Sequence, residues 1–181
     1  MIATVRRQPI GTQPQSPKHL EDWLRDAHAM EKQAEKMLES QASRLEHYPQ
    51  LKARIEQHLI ETRGQAEKIE QCLSLLGTDL SAVKDLGGKL AAFGQGMAGM
   101  MASDEVVKGS LASYAFEHFE IASYKALIQA AEKVGKPEIA RICEAILKEE
   151  EAMAEWLSQH LDDTTRQFLE RSEHDDLQAK T

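Results

Sequence analysis

Cysteine, proline and aromatic residues are scarce in this chain, and long apolar runs are absent. Cys72 and Cys143 are the only cysteines among 181 residues, which excludes a disulfide framework and makes a reducing compartment the default. Aromatics make up 5%, and β-branched residues are sparse beside Ala, Leu, Glu, Lys and Gln. That mix favours helix over strand. No apolar stretch reaches membrane-spanning length, and no apolar segment follows Arg6 and Arg7 as a signal peptide requires. Basic excess is missing too. The 22 Lys and Arg against 30 Asp and Glu leave a net charge of −8, which argues against a binder of nucleic-acid phosphates. A cytoplasmic helical protein with one domain is the expectation, long enough to bury a core without cross-links.

The five prolines, Pro9, Pro14, Pro17, Pro49 and Pro137, fall where boundaries belong. Residues 1–15 are polar and rich in Pro and Gln, and read as a tail. Ser16 and Pro17 look like an N-cap followed by Pro at the first helical position, so helix 1 spans about 17–46. Pro49 opens helix 2, and Gly77 ends it. Ser103, Asp104 and Glu105 suit the positive end of helix 3, which Gly135 stops. Pro137 starts helix 4, running to about 161. A short fifth helix is expected over 163–171, and the domain 16–172 is followed by a polar tail, 173–181. Short links make helices 1 and 2 one antiparallel hairpin, and helices 3 and 4 another. The link between the hairpins, 78–103, is far longer than usual. It carries Gly87, Gly88, Gly94, Gly96 and Gly99 interleaved with Met97, Met100 and Met101, with room for a short helix at about 80–93. A long crossover between two helical hairpins predicts an all-α, ferritin-like four-helix bundle.

Alternating steps of four and three residues give the buried stripe of each helix. Helix 1 reads Leu20, Leu24, Ala27, Glu31, Ala34, Leu38, and helix 2 reads Leu51, Ile55, His58, Thr62, Gln65, Ile69, Cys72, Leu76. Helix 3 reads Val106, Ser110, Ser113, Glu117, Glu120, Tyr124, Leu127, Ala131, and helix 4 reads Ile139, Cys143, Ile146, Glu150, Met153, Leu157. Each is apolar at its ends and polar near its middle. Glu61 lies one position from Thr62, on the edge of its stripe. Helices of similar length bring Glu31, Glu61, Glu117, Glu120 and Glu150 to one level, with His58 nearby. Chance places some Glu on any single stripe in so acidic a chain, but interruption of all four at one level points to a polar core cluster.

Buried carboxylates without counter-charge cost several kcal/mol each. They are either protonated, forming a hydrogen-bonded network that fixes register, or neutralised by a pair of metal ions. Glu and His donors suit iron or manganese, and the lack of Cys donors argues against structural zinc. Glu117 and Glu120, three apart, share a face, as do His58 and Glu61. Tyr124, four after Glu120, is placed to hydrogen-bond a carboxylate or simply to pack. His118 belongs on a flank, His28 is ambiguous, and His19, His47, His160 and His174 read as solvated. Cys72 and Cys143 read as small core residues, and Glu149 and Glu151 as mostly solvated.

The segments 24-LRDAHAMEKQAEKML-38, 58-HLIETRGQAEKIEQ-71, 117-EHFEIASYKAL-127 and 147-LKEEEAMAEWL-157 resemble the YciE/YciF family of ferritin-like bacterial stress proteins, the YciE branch in particular. The resemblance covers about residues 18–175 and rests on H-x-x-E-T with E-x-x-E-I-A-x-Y. It implies a four-helix ferritin-like fold with a short C-terminal helix, a homodimer, and a cytoplasmic general-stress setting. It also implies carboxylates laid out as in rubrerythrin-type di-metal proteins, in a family whose activity is not settled. Carried over, Glu31 and Glu61 match the carboxylates of helices 1 and 2. Glu117 and Glu120 match an E-x-x-E on helix 3, and Glu150 the carboxylate of helix 4. The usual E-x-x-H of two helices is broken, since Gly64 and Met153 stand three after Glu61 and Glu150. His58 is the substitute imidazole. The implied site is Glu31, His58, Glu61, Glu117, Glu120 and Glu150 around two iron or manganese ions, with peroxide or oxygen as reactants. The competing reading is a metal-free or metal-buffering homodimer that binds an unknown protein partner. A storage cage fits the elaborated crossover less well.

Overall fold

The computed structural model describes residues 15–78 and 105–174. They form four helices: α1 Ser16–Ala42, α2 Pro49–Leu75, α3 Glu105–Lys133 and α4 Pro137–Ser172. There is no strand among the described residues. Pro17, Pro49 and Pro137 all sit in first turns, where the missing N–H removes no bond and the fixed φ suits a helix. Ser16 is the first helical residue rather than the N-cap. Gln15 holds that position, and no side chain caps the helix.

α2 and α3 close on glycines with left-handed backbone, Gly77 at φ 75° and Gly135 at φ 71°. The Gly77 N–H donates to Ser74 O at 2.9 Å and Thr78 N–H to Leu73 O at 3.1 Å. Gly135 and Lys136 repeat the pattern to Glu132 O and Ala131 O at 3.0 and 2.9 Å. These are Schellman closures, which satisfy the last carbonyls and need a residue without Cβ penalty.

Two boundaries differ from the sequence reading. α1 ends at Ala42 rather than near 46, because the chain turns there to bury Leu45 and Tyr48 under the end of the bundle. The segment 163–171 is not a separate helix but continues α4, which runs unbroken for 36 residues. No Gly or Pro lies between Pro137 and Ser172, so nothing interrupts the hydrogen-bond ladder. The expected short helix near 80–93, the stretch with Met97, Met100 and Met101, the Ser103–Asp104 cap and most of both tails lie outside the described residues.

Side-chain bonds between helices give the topology. Gln41, near the end of α1, donates to Gly109 O near the start of α3 at 3.1 Å. Arg63 of α2 reaches Glu35 of α1 at 2.9 Å, while His28 and Glu70 meet at 2.9 Å. Lys68 of α2 holds Glu149 of α4 at 2.9 Å. α1 therefore runs antiparallel to both α2 and α3, and α4 antiparallel to α2. α2 and α3 are then parallel. The end of α2 and the start of α3 lie at opposite ends of a bundle about 40 Å long, at 1.5 Å per residue. The intervening segment has to travel that length, which is the ferritin-like connection and not an up-and-down one.

Two apolar clusters fill the bundle. Leu24, Ile69, Leu127 and Ile146 belong to one, and Leu38, Ile55, Val106 and Leu157 to the other. Between them the same four stripes turn polar. No described helix is long and apolar enough to cross a membrane.

Candidate metal centre

Every stripe residue between the two apolar clusters is buried: Glu31 on α1, His58, Thr62 and Gln65 on α2, Ser110, Ser113, Glu117 and Glu120 on α3, and Glu150 on α4. None of these five ionisable side chains exceeds 1% exposure, so each charge must be met inside the protein.

His58, Glu117, Glu120 and Glu150 form one group, each offering a donor atom within 4.8 Å of all the others. His58 Nε2 lies 3.3 Å from Glu117 Oε2 and 3.5 Å from Glu150 Oε2. Its other nitrogen, Nδ1, lies 2.8 Å from Glu61 Oε2. Burial alone would push the imidazole down, but contact with Glu117, Glu150 and Glu61 outweighs it and raises its pKa to about 12. Both nitrogens are then donors in an imidazolium.

Glu31 completes the layer from α1. One of its oxygens accepts a short hydrogen bond from the Tyr124 hydroxyl. Tyr124 is thus tied to Glu31, across the core, rather than to Glu120 on its own helix. Burial, followed by repulsion from Glu150, holds Glu31 well above the usual carboxylate range. Burial and the charges of Glu150, Glu31 and Glu117 do the same to Glu120. Burial raises Glu117 as well, and although His58 pulls it back, it stays at about 8.

Glu61 stands apart from this group. Its side chain is 24% exposed, facing Arg54 at 3.1 Å and accepting from Gln57 at 3.0 Å. Burial opposes its charge, but His58 and Arg54 outweigh that and hold it down to about 2. Its reach into the core is through His58. One helical residue is 100° of rotation, which is what separates Glu61 from its inward neighbour Thr62. Arg54 escaped the sequence reading, although its spacing, four before His58 and seven before Glu61, puts it on their face.

Of the other histidines, His28 pairs with Glu70, exposed His118 meets the Tyr114 ring edge-on, and His160 stacks on Trp156 at 4.0 Å. Cys72 and Cys143 are free and buried. Glu149 is half-solvated, held by Gln65 and Lys68.

Whether these donors fit a metal is decided by what they leave unpaired. Glu31 Oε2, Glu120 Oε1 and Glu150 Oε1 are buried with no hydrogen-bond partner, while Glu117 Oε2 and Glu150 Oε2 meet the His58 ring at 3.3 and 3.5 Å. Three unpartnered carboxylate oxygens on three helices, with two more against one imidazole, are a hard-oxygen and nitrogen donor set. It fits iron or manganese and lacks the thiolates of structural zinc.

A helical bundle of this connectivity, with carboxylates from three helices and an imidazole from the fourth in its mid-layer, is a ferritin-like protein in fold. The chain belongs to the family described as a domain of unknown function, DUF892, whose pattern matches residues 15–170. Among solved structures it is similar to a Xanthomonas campestris pv. campestris protein, with 46% identity, a TM-score of 0.75, and coverage of 88% of this chain and 100% of the other. It is also similar to YcfI from Rhodopseudomonas palustris, at 26% identity and TM-score 0.67, covering 86% and 98%. The Escherichia coli stress protein YciF shares the fold, at 23% identity and TM-score 0.66, covering 84% and 97%.

Proposed function

We propose that this chain is a stress-response protein of the YciE branch, whose mid-bundle cluster binds two iron or manganese ions. The observation that carries the reading is the buried group of His58, Glu117, Glu120 and Glu150, with Glu31 beside it and carboxylate oxygens left without partners. Unpaired buried anions persist only if something neutralises them. Glu31, His58, Glu117, Glu120 and Glu150 are the holding residues. Bound there, the ions would supply two-electron redox chemistry with peroxide or oxygen.

The chain's own groups have definable parts. Glu61 accepts from His58 Nδ1 and so orients the ring, leaving Nε2 to face Glu117 and Glu150; a carboxylate behind a ligating imidazole is a recurrent arrangement. Arg54 keeps that carboxylate charged. Tyr124 fixes one oxygen of Glu31 and leaves the other free. The apolar clusters on either side exclude water. The family resemblance supports a homodimer in the cytoplasm.

A second reading has its own support. His58 as an imidazolium between Glu117 and Glu150, with protons held on Glu31, Glu117 and Glu120, balances charge without any ion. The bundle is then a structural or partner-binding dimer. Metal content measured by mass spectrometry after anaerobic ferrous loading separates the two. About two ions per chain, lost in Glu120→Ala and in Glu150→Ala at unchanged helicity, supports the metal centre. No ion, and no shift in melting temperature on loading, supports the second reading.

A further inference from the structure

α2 carries two further buried polar atoms without partners, Thr62 Oγ1 and Gln65 Oε1. The side chains are 1% and 0% exposed. They are three residues apart, the spacing at which di-metal bundles carry Glu and His on one helix. The orientation of the Gln65 amide is set by chemistry. Its Nε2 donates to Glu149 Oε2 at 2.9 Å, and a carboxylate only accepts, so the carbonyl oxygen is the buried, unpartnered end.

The level of Gln65 in the bundle follows from its neighbours. Arg63 bonds Glu35 and Glu39 of α1, and Glu70 meets His28. Gln65 therefore lies level with α1 between these contacts, near the turn of Glu31 and Ala34. Across the core its bond to Glu149 puts it at the turn of Glu150. His58 lies two turns away along α2, against Glu117. His58 thus groups with Glu117, Glu120 and Glu150, while Glu31 lies outside that group, toward the level of Gln65.

We infer that Gln65 Oε1 is the α2 donor at the Glu31 end, a neutral amide oxygen standing where a histidine is usual. This rests on the metal-binding reading above, and the test separates the two. Manganous ion is titrated anaerobically into chelator-stripped protein, with free ion followed by electron paramagnetic resonance and bound ion by mass spectrometry. Wild type is expected to take up two ions in two steps. Gln65→Leu, close in size, should leave the first step intact and weaken the second by about tenfold or more, the loss expected when a metal's support is removed. Gln65→Glu should tighten the second step above wild type, and covers the case in which the leucine variant folds poorly. Two unchanged steps in both variants overturn the assignment of Gln65 and leave the metal centre standing. No uptake by wild type overturns both.

Discussion

Two polar layers lie inside this bundle, and they are finished differently. Near the start of α3, Gln41 Nε2 donates to Gly109 O, Ser113 donates to Gln41 Oε1 at 2.9 Å, and Ser110 donates to Val106 O. None of these side-chain atoms is left unpartnered. Further along, Glu31, Glu120 and Glu150 each leave a buried oxygen without a partner, and Glu117 and Glu150 each turn another toward the His58 ring. α1 and α3 close the first of these layers and contribute to the second, which stays open. Buried polar groups are nearly always satisfied, and the first layer shows that this fold can do it with neutral side chains alone. The open layer is therefore set apart by its chemistry rather than by crowding.

The largest contrast is in what each layer does to bound metal. Glu150→Ala should abolish metal uptake, because its Oε1 is unpaired, its Oε2 faces His58, and its charge acts on Glu31, Glu117 and Glu120. Gln41→Ala should leave uptake at the wild-type level. Metal analysis of the two variants side by side checks this.

Stability should move in opposite directions. In metal-free buffer, Glu120→Leu removes a buried acid with an unpaired oxygen and is expected to stabilise by about 1–4 kcal/mol, as apolar replacement of buried charge often does. Gln41→Ala leaves the Gly109 carbonyl and Ser113 hydroxyl unpaired, and should cost about 1–3 kcal/mol. Denaturant melts of both measure the signs. A destabilised Glu120→Leu counts against an unsatisfied acid cluster.

A pH series sharpens the same contrast. Glu117 is raised to about 8 in the folded protein, with Glu31 and Glu120 also well above their ordinary range, against about 4.3 unfolded. The folded state therefore binds more protons, and stability falls as pH rises from about 4.3 through 8. His58, raised to about 12, adds stability that is whole below its unfolded value of about 6.5 and fades above it. Glu61 acts oppositely, since its value of about 2 gives stability that is lost as pH drops below about 4.3. Metal-free protein should thus melt highest in mildly acidic buffer and decline toward pH 9, a thermal series that manganous ion should flatten.

The smallest effect is expected outside both layers. The Lys18–Asp22 pair on α1 is exposed, and Lys18→Ala should change stability by about 0.5 kcal/mol or less, with no change in metal uptake.

Much of this was legible in the amino-acid order. All six stripe positions of α1 and all eight of α3 are buried, as are those of α2 and α4 apart from half-buried Leu76. Step counting works because helix period and packing agree over nearly thirty residues. The long gap between Gly77 and Glu105 gave the connectivity. Finer placement was not legible. Whether Glu61 or Thr62 faces inward turns on one residue of register. Tyr124 lies four residues after Glu120, one turn along the same face, yet its hydroxyl goes to Glu31, a contact set by interhelical spacing. Gln65 was on the stripe, but only its bond to Glu149 shows which end of the amide is left over. The separate C-terminal helix failed because the pattern change near 162 carries no residue that breaks a helix.

On the proposed reading, cations replace protons in the open layer. Calorimetric titration of manganous ion at neutral pH, repeated in buffers of different ionisation heat, counts those protons directly. Release of about one proton or more per ion is expected, drawn from His58, Glu31, Glu117 and Glu120. Binding without proton release, or no binding heat at all, would contradict it.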